Sequence, residues 1–186
     1  MKKPLLLVLI LIISCNTDKL NLNYFNNSQK KILKELLERN DNILKKSDNE
    51  SVANAYYKQL EKLDNSISAS DVINNSFVKD VTPCKLLKEN NIFKLVKVRV
   101  HNPSDKSYHI ALKYALNYKS KYLDFLKFYS SKNKVIFKYY KFILLTGDMT
   151  SPVLTKILLH ELTKEDLENQ NIRLIVCMHF LLLNNS

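Results

Sequence analysis

A chain of 186 residues with a single glycine, Gly147, has few ways to build a tight turn. Glycine enters the left-handed backbone region without steric cost. The loops here must therefore lean on asparagine, of which there are 21, because Asn tolerates that region better than other residues with a side chain. The same scarcity limits chemistry. A nucleophile elbow, a phosphate loop and a dinucleotide fingerprint each need two or more glycines at fixed spacing. None can be assembled around Gly147, so no nucleotide enzyme and no cofactor is expected.

The first residues give an address. Lys2 and Lys3 are followed, after Pro4, by nine apolar residues at 5–13, well short of the ~20 needed to span a bilayer as a helix. A basic start, a short apolar run and a small residue are the pattern of a secretory signal peptide. It ends on Ile12-Ile13-Ser14-Cys15, which resembles a bacterial lipobox. That resemblance implies loss of residues 1–14 and a mature chain beginning at a lipid-modified Cys15. With its Asn-rich stretch at 16–27 and its Lys- and Asn-rich composition, the chain resembles the small surface lipoproteins of spirochaetes of the Borrelia type. The resemblance implies an exported, non-enzymatic protein, anchored to the cell envelope by its N-terminal lipid and held at the outer membrane surface. Its expected partner is a host protein, a sulfated glycan or a neighbouring envelope component. A periplasm-facing lipoprotein with a structural or assembly role is the alternative.

Lys and Arg number 29 against 18 Asp and Glu, a formal net charge of +11. Such a balance favours anionic surfaces, and export makes nucleic acid the least apt of them. Beyond Cys15 two cysteines remain, Cys84 and Cys177. Outside the cytoplasm they are permitted to form a disulfide, although free cysteine also serves as a small buried hydrophobe.

From Ser28 the apolar residues Ile32, Leu33, Leu36, Leu37, Ile43 and Leu44 repeat at helical spacing, with Asn27 or Ser28 as N-cap. Ser47 and Glu50 have the spacing of a capping box before a second stripe, Val52, Ala53, Tyr56, Leu60 and Leu63. A helical hairpin is predicted. Residues 70–77 suggest a short further helix. Past residue 91 the period changes to two: Val96, Val98 and Val100 alternate with Lys97 and Arg99, and Ile110, Leu112, Tyr114, Leu116 and Tyr118 alternate with smaller or polar residues. Residues 123–129, 135–145 and 172–182 read as further strands, and 153–162 fits either period with strand preferred. Residues 162–171 then read as a loop or one helical turn. The expected fold is α+β, an N-terminal helical hairpin followed by a mainly antiparallel β-sandwich-like domain. Its parts are a signal peptide (1–14), a lipidated cysteine and tether (15–27), a helical segment (28–91) and a β-rich domain (92–186).

Two clusters could carry function. Lys97, Arg99, Lys113, Lys119 and Lys138, interleaved with tyrosines, suggest a cationic sheet face for an anionic ligand. His179 shares strand parity with Cys177, but a metal site requires three or four converging ligands, and none is expected.

Overall fold

The computed structural model describes residues 19–45, 50–65, 82–101 and 107–184. Cys15, Ser47 and the helix suggested at 70–77 lie outside them. The described residues form eight helices and one two-stranded antiparallel sheet, so the β-sandwich expected of residues 92–186 is not the fold.

Helix α1 (Asn27–Leu44) and helix α2 (Val52–Asn65) follow the helical period of their sequences and pack on one another. Asn26 rather than Asn27 or Ser28 caps α1. Its side chain accepts from Gln29 N at 2.9 Å, and Gln29 Oε1 accepts in return from Asn26 N at 3.1 Å. At the start of α2 the hydroxyl of Ser51 accepts from Asn54 N. Helix α3 (Thr82–Glu89) leads through a left-handed Asn91 (φ 59°) into strands β1 (Phe93–His101) and β2 (Tyr108–Leu116). These are the two strands that the alternation predicts.

The other expected strands are helices, and local chemistry explains each. Helix α4 (Lys121–Ser130) buries Tyr122, Phe125, Leu126 and Tyr129, a spacing of three and four that only a helix places on one face. Helix α5 (Lys134–Thr146) begins where the Asn133 side chain accepts from Val135 N and Ile136 N, satisfying two amides that have no partner in the first turn. It ends at Gly147, whose φ of 70° closes the helix in the left-handed conformation. Helix α6 (Pro152–Glu161), the ambiguous segment, has Ser151 as cap and proline in its first turn, where a missing N–H costs nothing. Helix α7 (Lys164–Glu168) is a single turn closed by a Thr163–Asp166 capping box.

Helix α8 (Gln170–Asn184) is the axle. From Asn171 to Leu182 every side chain is buried. A helix that is apolar on all sides shows no helical period, which is why its sequence also fits alternation. Its neighbours surround it. Tyr56 of α2 stacks on Phe180 at 6.2 Å between ring centroids. Tyr139 of α5 meets His179 edge-on at 5.8 Å, and Thr155 of α6 is hydrogen-bonded to His179 Nε2 at 3.0 Å. On α1, the Asn40 amide donates to Cys177 Sγ.

The one charge buried on α8 is Arg173. Its Nη2 and Nε donate to both carboxylate oxygens of Asp41 on α1, at 3.1 and 3.3 Å, while Nη1 donates to the carbonyls of Leu167 and Glu168, each at 2.9 Å. This guanidinium joins α1 to α8 and caps α7. Removing the guanidinium leaves the half-buried Asp41 carboxylate and the Leu167 and Glu168 carbonyls without their donor, so Arg173→Met is expected to cost about 3 kcal/mol in urea unfolding monitored by helical circular dichroism. An unchanged midpoint would remove Arg173 from its place as the clamp.

Candidate functional site

The β1–β2 ribbon is anchored at one end only. Phe93 and Leu116, paired at the base, are almost fully buried. Ile92 N donates to Leu87 O at 2.8 Å, tying the ribbon to α3, and Asn117 N donates to Ile92 O at 2.9 Å. Beyond the base no second layer covers the ribbon among the described residues, an arrangement that is marginal in water unless something else is buried on it.

Register decides what it shows. Residues directly opposite one another share a face, and the pairs are Leu95 with Tyr114, Lys97 with Leu112, Arg99 with Ile110 and His101 with Tyr108. The basic face of β1 therefore coincides with the apolar face of β2. Ile110 is 71 % exposed, Leu112 62 % and Tyr108 56 %. Arg99 lies over the Tyr108 ring at 4.2 Å, and His101 packs on that ring at 4.9 Å. The other face carries Val96, Val98 and Val100 opposite Lys113, Ala111 and His109. The eighteen strand residues include Lys94, Lys97, Arg99 and Lys113 and no Asp or Glu. A depression of ≈ 490 Å³ beside Lys97, Arg99, Tyr108 and Ile110 is open to solvent. The ribbon presents a surface rather than an enclosing pocket.

The expected cationic face is thus divided. Lys97 and Arg99 stand together, but Lys113 points from the opposite side of the ribbon. Lys119 lies in the turn after β2. Lys138 belongs to α5 and is paired with Glu161 at 2.5 Å. What the sequence reading missed is the exposure of Ile110, Leu112 and Leu95. Alternation assigns side chains to a common face, and it carries no signal of whether a second layer covers that face.

The buried interior holds two thiols and one imidazole. Cys84 on α3 and Cys177 on α8 are both buried and carry thiols, the second of the two alternatives that the sequence left open. Burial pushes the Cys177 thiol far up, a shift that the Asn40 hydrogen bond only partly opposes. Burial lowers His179 from 6.5 to about 4, against weaker opposing effects of the Met149 backbone and Asp148. At neutral pH His179 is an uncharged core residue whose Nε2 partner is Thr155, and neither group is accessible to a substrate. Among the described residues, no group of three or more His, Cys, Asp or Glu side chains is placed to hold a metal ion. No described helix is long and apolar enough to cross a membrane.

No family model matches the chain, and neither a curated protein nor a solved structure matches it. The site rests on its own geometry.

His179 makes a pH test available. Between pH 6.5 and 4 the unfolded chain binds a proton at this residue that the folded chain refuses, so stability falls with pH across that window and is level above it. The loss attributable to His179 is about 3 kcal/mol by pH 4. His179→Gln is expected to flatten that part of the stability profile measured by urea unfolding at successive pH values. Parallel profiles would show that the imidazole is not held neutral by burial.

Proposed function

We propose that the chain is a non-enzymatic, lipid-anchored protein of the cell surface, held through Cys15, whose β1–β2 ribbon binds an anionic macromolecular surface. The observation that carries this reading is the ribbon's composition: exposed Ile110, Leu112 and Tyr108 beside Lys97 and Arg99, with no acidic residue in either strand. Solvent-exposed aliphatic side chains on an uncovered ribbon gain by being buried against a partner. The cations select the charge of that partner and speed its encounter. Support for the anchor comes from the lipobox-like ending at Cys15, and support for export from the signal peptide before it.

Heparin serves as a polyanionic probe. The full chain in detergent is expected to bind it in a salt-sensitive manner, and the Lys97→Glu/Arg99→Glu pair should weaken binding by more than about tenfold. Reversal of two exposed helical lysines, Lys127→Glu/Lys134→Glu, should weaken it far less. Equal losses from both pairs would reduce the effect to net charge and sink the ribbon as the binding element. Added protease should remove the protein from intact cells; protection until lysis would instead place it on the inner side of the envelope.

A further inference from the structure

The chain joins the fold earlier than a tether to residue 27 would allow. Asn171, fully buried at the start of α8, donates from Nδ2 to the Lys19 carbonyl at 3.0 Å and accepts from Asn21 N at 2.7 Å. Leu20 N donates to Gln170 Oε1 at 3.1 Å. Phe25 is buried, its ring 5.7 Å from that of Phe125. Only Asn16, Thr17 and Asp18 separate Cys15 from this latch, a reach of at most about 14 Å. A lipid on Cys15 therefore holds the body against the headgroup layer rather than at a distance from it.

The latched segment also leads to the ribbon. It continues into α1, whose first turn grips the ribbon base. Ser28 Oγ donates to Asn90 Oδ1 at 2.7 Å, and Gln29 Nε2 donates to the Asn90 carbonyl at 2.8 Å. The ribbon that rises from this base is nine residues long, about 30 Å. A second copy of the chain is a poor occupant, because each ribbon brings four Lys or Arg side chains and no carboxylate, and like charges would face one another. Among the described residues none of these four cations is ion-paired. Basic side chains among aliphatic and aromatic ones are the chemistry of an interfacial membrane contact, in which cations meet anionic headgroups and apolar groups enter the acyl boundary.

We propose that the β1–β2 ribbon is a second membrane contact, with Lys97 and Arg99 on anionic phospholipid headgroups and Leu95, Ile110 and Leu112 dipping into the headgroup–acyl boundary beside Tyr108. This deepens the preceding reading and rests on the lipid at Cys15. The ribbon is then a clamp that fixes the body's orientation on the bilayer.

The sequence contains no tryptophan, so an introduced indole is a unique reporter. The full lipidated chain carrying Ile110→Trp is reconstituted into phosphatidylcholine vesicles with and without phosphatidylglycerol. Flotation reads the anchor, and indole emission with quenching by brominated acyl chains reads the ribbon. The expected result is flotation with both vesicle types, a blue-shifted and quenched indole with phosphatidylglycerol, and loss of both signals when Lys97→Glu/Arg99→Glu is added. Lys127→Trp on α4 should stay unquenched. If Ile110→Trp fails to fold by circular dichroism, Leu112→Trp on the same face gives the same reading. Flotation with a solvent-exposed indole overturns the membrane contact alone, and retained heparin binding would then assign the ribbon to a soluble acidic partner. Failure to float overturns the lipid anchor and the clamp together.

Discussion

The fold depends on one helix that is buried along nearly its whole length. Helix α8 is buried over twelve consecutive residues from Asn171 to Leu182, and a helix buried on all sides must be enclosed by others. The surrounding helices supply that enclosure, and the polar atoms that α8 brings inward set their positions. Arg173 aligns α1 and closes α7, while His179 meets α6 through Thr155. Each polar group on the axle costs desolvation that only a correctly placed partner offsets. An alternative arrangement of the same helices would leave a guanidinium or an imidazole without its partner inside an apolar core. The satisfied groups therefore act as positional constraints as much as sources of stability.

The ribbon obeys a different rule. Each strand is amphipathic by itself, and either could have lined a core. Antiparallel pairing instead sets Lys97 against Leu112 and Arg99 against Ile110, so neither face is cleanly apolar or cleanly polar. A face of that kind cannot be buried against a dry core without stranding two cations, and it leaves large aliphatic groups in water. Both difficulties disappear at a boundary where one side is charged and the other apolar. The mixed face is a liability for folding and a suitability for an interface.

How much of this was legible follows from what each pattern encodes. Helices α1 and α2 are half-buried and carry a clear stripe, so their sequences show the period. The β1 and β2 alternation is equally plain. Helices α4, α5 and α8 are rich in Tyr, Phe, Ile and Val, residues that favour strands, and α8 is buried so broadly that a period of two fits as well as 3.6. Punctuation marked the starts of three helices in this region: Asn133 opens α5, the Ser151-Pro152 pair α6 and Thr163 α7. The caps outweighed the period. For the site, Lys97 and Arg99 could be read as outward-facing, but the register that groups them with Leu112 and Ile110 is a property of the pair of strands and not of either sequence. The latch at Lys19 was equally out of reach, because it depends on a buried asparagine 152 residues further along the chain.

That latch orders events in time. The residues that close the N-terminal segment, Asn171 and Gln170, open the helix that follows every other described element in sequence. During synthesis from the N-terminus, the seven other described helices and the ribbon emerge before the surface they enclose exists, and their contacts with it wait for it. A nascent chain of this kind completes its core only once its axle has emerged.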